Sequence, residues 1–202
     1  TAFLIREKLR DAGIYEDVEL HEAPLGSTVN LGPFEVTYVT ITHSIAEPNG
    51  LAIKTPLGTV LHTGDWKIDN DPVVGERTDV DFIQKLGDEG VLAMVCDSTN
   101  VFVDGESGSE ADVKEALAGL IGGLSGKVAV ACFASNVARM DSVIRAAEAA
   151  GRGVCLVGRS MHRMAAAAKS VGLLDGVREF LSEQQAAAMP ENEVLFLCTG
   201  SQ

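Results

Sequence analysis

The chain has 202 residues, 46% of them hydrophobic and only 5% aromatic, with a formal charge of −13 from 29 acids against 16 bases. That length supports one large core or two small ones, and that charge excludes broad, nonspecific electrostatic capture of nucleic acid while leaving room for a local patch or a bound cation. No run nears the roughly 20 apolar residues of a membrane span, and the opening TAFLIREKLRDAG carries no signal-peptide layout, so a soluble, cytoplasmic protein is expected.

Taken in chain order, residues 2 to 12 place Phe3, Leu4, Ile5 and Leu9 among charged positions, a helical spacing that ends at Gly13. VELHE follows as a short predicted strand. FEVTYVTIT alternates as a strand with apolar residues on both faces, and LAIKTPLGTVLHT reads as a hairpin turning at Leu57 and Gly58. The first 75 residues are thus strand-rich, with antiparallel neighbours expected. After DNDPVVGERTDVD, read as a polar connector, apolar runs alternate with helical patterns: strand VLAMVC and helix 110 to 122, strand VAVACF and helix 136 to 150, strand GVCLVG and helix 160 to 171, then strand VLFLC. Such alternation predicts parallel strands joined by helical crossovers. Ser109 with Asp112 predicts a capping box, and Gly151 a helix stop.

Cys96, Cys132, Cys155 and Cys198 form no C-x-x-C and each lies in an apolar run, so they read as reduced thiols that mark strands. Four strands of the second half end in small or hydroxylated clusters: DSTN, ASN, GRS and TGSQ. The carboxyl ends of parallel strands face the helix N-termini behind them, so Ser98, Thr99, Ser135, Asn136, Arg159, Ser160 and Ser201 are candidates for RNA or phosphate contacts. Plain helix capping uses the same residue types and stays open as the simpler explanation for any one cluster. Arg139 and Arg163 could add charge there. LIGGLSGK falls after a helix and before a strand, the wrong end for a phosphate loop, and is a turn. His43 and Asp65 each sit where a strand gives way to loop. Imidazole and carboxylate are both zinc ligands, although a lone His at a strand end is more often a hydrogen-bonded structural residue.

Together, LGPFEVTYVTITHSI, GLAIKTPLGTVLHTGDWKID, DSTN, FASNVARMDSVIRAAEAAGRGVCLVGRSM and FLCTGSQ strongly resemble the ribonuclease J family, in the beta-CASP branch of the metallo-beta-lactamase superfamily. The resemblance implies an α/β protein: part of an αββα metallo-beta-lactamase sandwich over 1–108, then part of a parallel-sheet, Rossmann-like beta-CASP domain over 109–202. It implies a zinc-dependent ribonuclease, acting as endonuclease and 5′-to-3′ exonuclease, with two zinc ions at the domain interface, RNA as partner and a homo-oligomeric parent. Carried over, His43 is a zinc ligand, Asp65 a catalytic carboxylate bridging two zincs, and Asp97 the acidic residue that positions a histidine from further along the chain.

The family's H-x-H-x-D-H motif is absent from this sequence, and GSQ stops short of the usual GEP continuation. Ala46 stands where the family commonly has proline. An internal fragment, inactive and weak in zinc binding by itself, is therefore expected. A lactonase-like metallo-hydrolase and a noncatalytic nucleotide- or RNA-binding module remain as alternatives.

Overall fold

The structure, a computed structural model, describes residues 1–200. Its contacts divide the chain into two units: Thr1–His43, Glu47–Asn70 and Gly75–Ser107 form the first, and Ser44–Ala46, Asp71–Val74 and Gly108–Gln202 the second. The first unit opens with helix α1 (Ala2–Asp11) and holds a five-stranded sheet of β1 (Thr28–Leu31), β2 (Phe34–Thr40), β3 (Asn49–Thr55), β4 (Gly58–His62) and β5 (Ala93–Val95), in that spatial order. The strands β1 to β4 pair antiparallel, as their alternation and short connections predict, and β5 joins β4 in parallel. On one face Val39, Ala52 and Leu61 are buried against Leu86 of α2 (Val80–Glu89), with Phe82 and Ile83 packed alongside.

Four local readings are corrected. VELHE forms no strand: a 3-10 turn at Tyr15–Asp17 precedes it, and β2 takes its antiparallel partner from TVNL instead. An alternating pentapeptide with three charged or titratable positions has little apolar surface to hold it to a sheet. The β3–β4 hairpin turns at Pro56 and Leu57, because Thr55 pairs with Gly58. Proline's fixed φ suits the first corner of a turn, and the Thr55 hydroxyl closes it by donating to the Gly58 carbonyl at 2.8 Å. The polar connector holds the start of α2, whose first turn Asp79 caps by accepting from the Phe82 N–H. Finally, the strand from VLAMVC belongs to the first sheet, so its DSTN cluster does not share one sheet's crevice with the other three.

The second unit alternates as predicted. Its sheet has β6 (Val128–Cys132), β7 (Gly153–Val157) and β8 (Val194–Thr199) in the order β6-β8-β7, all parallel. Helix α3 (Glu110–Gly122) precedes β6, α4 (Val137–Ala149) crosses from β6 to β7, and α5 (Arg159–Ser170) with the short α6 (Glu183–Ala188) crosses from β7 to β8. The capping box at Ser109 and Asp112 is present, and Gly151 adopts φ +73° just past α4. Val137, Met140, Val143, Ile144 and Ala147 of α4 are buried with Val154, Leu156, Leu195 and Leu197 of the strands. A helix apolar on so many sides lies at the centre of its unit. Arg152, 1% exposed, donates to the carbonyls of Leu124, Gly126 (2.9 Å) and Val194 (3.1 Å), tying the α3–β6 turn to the entrances of β7 and β8.

Candidate functional site

Three chain exits in the first unit carry the chemistry. Beyond the end of β2 the chain passes through Ile41 and Thr42, both buried, to half-buried His43. Strand β4 ends at His62 and leads through Thr63 and Gly64 to Asp65, which is exposed. Strand β5 leads through Cys96 to Asp97. Gly64 adopts φ +63°, and a Cβ there would lie 3.0 Å from the Asn49 carbonyl oxygen, so the turn before Asp65 requires glycine. The Gly64 N–H donates to Nδ1 of His62 at 3.1 Å, which engages that imidazole in the turn itself.

Side chains and backbone bind these exits to one another. The Asp97 N–H donates to the Thr63 hydroxyl at 3.2 Å, Thr63 N–H donates to the Val95 carbonyl at 2.9 Å, and the Trp66 indole N–H reaches the Asp97 carbonyl at 3.3 Å. On the other flank Thr42 forms an isolated antiparallel bridge with Lys67. The Asp97 carboxylate accepts from the Thr99 hydroxyl at 2.6 Å and from the Thr99 N–H at 3.0 Å. These two bonds, the hydroxyl's first, hold its pKa below the ordinary aspartate value, and the charge of His43 lowers it further. His43 is thus within electrostatic reach of Asp97. Imidazole and carboxylate are zinc donors in kind. In number they fall short: among the described residues, no group of three His, Cys, Asp or Glu side chains could hold one ion.

The hydroxylated clusters separate by role. Asn136 caps α4, its side chain accepting from the Arg139 N–H at 2.8 Å, while Ser135 is exposed beside it. Thr99 serves Asp97, and Ser98 is exposed. Helix α5 begins after Gly158, which offers no side-chain cap, and Arg159 and Ser160 in its first turn are exposed. Uncapped first-turn N–H groups beside a cation suit an anion. Arg139 is turned to another purpose, its guanidinium bidentate on Glu110 through Nε and Nη2, both at 3.2 Å. Ser201 lies outside the described residues. Cys132 and Cys155 have thiols pushed up by burial, consistent with packing rather than reactivity. Sequence reasoning passed over Thr42, a buried polar residue just beyond β2.

Residues 125–202 match the family model described as ribonuclease J, beta-CASP domain. The chain is 50% identical to ribonuclease J of Sinorhizobium meliloti over 88% of its own length and 31% of that protein's. It is 41% identical to ribonuclease J of Mycobacterium tuberculosis over its whole length, covering 36% of the relative. The chain therefore spans about a third of these relatives. A crystal structure titled as a protein of unknown function from Enterococcus faecalis V583 superimposes with a TM-score of 0.62 at 15% identity, over 91% of this chain and 45% of that one, a likeness of fold alone.

Proposed function

From its similarity to the ribonucleases J and to their beta-CASP family model, we propose that the chain belongs to that family and supplies part of the catalytic centre and part of the RNA-binding surface of a zinc-dependent ribonuclease. In this reading residues 1–108 are part of a metallo-beta-lactamase domain and residues 109–202 part of a beta-CASP domain. His43 and Asp65 would hold zinc, with the remaining donors coming from the two thirds of the relatives' length that this chain does not span. Zinc, when bound, supplies a Lewis acid for phosphoryl oxygens and an activated water.

The chain's own residues prepare that chemistry. Asp97, kept ionised by Thr99, is an acceptor able to orient a histidine N–H. Hydrogen bonds tie the chain exits together, the Asp97 N–H to the Thr63 hydroxyl and the Thr42 hydroxyl to the Lys67 carbonyl, and this linkage is the observation that supports the reading. Arg159, Ser160 and the uncapped start of α5 are suited to the RNA backbone, with Ser98, Ser135 and Ser201 as further hydroxyl donors and Thr99 and Asn136 engaged locally. Endonucleolytic and 5′-to-3′ cleavage in cytoplasmic RNA decay, by a homo-oligomer, completes the proposal.

The test is cleavage of a 5′-monophosphorylated RNA by the full-length protein and by its His43→Ala and Asp65→Ala variants. Loss of a metal donor is expected to lower the rate by about 100-fold or more, given that changing even an outer-shell partner costs roughly 10- to 100-fold. Undiminished cleavage in both variants overturns the assignment.

A further inference from the structure

Thr42 is 2% exposed, yet its side chain is polar and placed between the two loops that carry His43 and Asp65. A hydroxyl has one proton to give and two lone pairs to fill. The Thr42 hydroxyl donates to the Lys67 carbonyl at 2.5 Å and accepts from the Asp69 N–H at 3.0 Å. Its remaining contact is the Thr78 hydroxyl at 2.9 Å. Because the Thr42 proton is already committed to Lys67, Thr78 must be the donor there. The Thr78 oxygen in turn accepts from the Thr42 N–H at 2.9 Å, so both hydroxyls have donor and acceptor partners. Backbone bonds frame the pair, Lys67 N–H to the Thr42 carbonyl at 2.9 Å and Asp79 N–H to the Thr40 carbonyl at 3.0 Å. The Lys67 ammonium then closes the turn on the Asp69 carboxylate at 3.0 Å, with Asp69 buried.

From this clamp we propose that Thr42 is the positioning residue of the site, its hydroxyl setting the separation of the His43 and Asp65 loops. The inference rests on the reading of those two residues as zinc donors. His43 follows Thr42 directly, and Asp65 lies two residues before Lys67, so a single buried oxygen links the backbones that aim both side chains. Valine at this position keeps the shape and removes the three bonds of the hydroxyl, to Lys67, Asp69 and Thr78, while the backbone bonds remain. Serine keeps the hydroxyl.

The experiment is zinc affinity, read by chelator competition on the full-length protein, for the wild type and for Thr42→Val, Thr42→Ser and His43→Ala. A loosened support around a metal donor costs roughly 10- to 100-fold in affinity, so Thr42→Val is expected to weaken zinc binding by at least about tenfold, with Thr42→Ser restoring most of it. A protein that merely lost stability while staying folded would keep its affinity. Should Thr42→Val fail to fold, Thr78→Val removes the hydroxyl that donates to Thr42 and is expected to weaken zinc in the same direction. Wild-type affinity in the folded valine variants, or no recovery with serine, overturns the positioning role. If His43→Ala also leaves zinc binding intact, the ligand reading itself has failed, which separates the two outcomes.

Discussion

Asp97 shows how a side chain of ordinary type is tuned by its nearest neighbours. Its pKa is lowered chiefly by the Thr99 hydroxyl, then by the Thr99 N–H. A depressed folded-state value means that the group favours the native state above the unfolded pKa and that this contribution disappears as pH falls through the folded one. Thr99→Val should therefore raise the Asp97 pKa toward the ordinary carboxylate range in an NMR titration, and an unmoved value would discount the hydroxyl. Lys67 and Asp69 make a stronger demand, because Asp69 is buried and Lys67 largely so. Removing the ammonium with Lys67→Met leaves a buried carboxylate without that partner and is expected to cost about 3 kcal/mol in urea denaturation. At this scale His43 and Asp65 were visible in the sequence because each ends an apolar alternating run. Thr42 was not, since a threonine in a strand is unremarkable until the backbone of distant Lys67 and Asp69 is brought to it.

Helices and strands were legible where a local signal was strong. Ser109 and Asp112 announce α3, and the structure gives both bonds of the box. The Ser109 hydroxyl also donates to the Asp71 carbonyl at 2.8 Å, so Ser109→Ala is expected to cost about 1 kcal/mol or somewhat more in thermal or chemical unfolding. The start of α2 was obscured because Asp79 and Val80 sit in a stretch dense in proline, glycine and charge, although Val80, Phe82, Ile83 and Leu86 have helical spacing. Arg152 illustrates an element-level role with no sequence signature, one buried guanidinium serving three carbonyls from two separate segments. Arg152→Met should destabilise by roughly 3 kcal/mol, by leaving several buried acceptors without donors. A urea midpoint unchanged from wild type would contradict that account.

On the scale of the whole chain, the formal charge of −13 limits how it could hold the proposed RNA substrate. Contact must come from a few placed cations, and each phosphate neutralised on a single strand contributes about 0.7 to the slope of log affinity against log salt. Arg159→Ala in the full-length protein should flatten that slope by about 0.7; an unchanged slope would remove Arg159 from the interface. The sequence by itself determined the antiparallel character of the first strands and the parallel alternation after them, because periodicity and caps are local properties. Only the tertiary structure decided that β5 pairs with β4 rather than with the later strands, and that the Thr42 hydroxyl bonds to Lys67 and Asp69. Those outcomes depend on hydrogen bonds between segments far apart in the chain, where the choice of partner is made by packing and leaves no pattern in either segment alone.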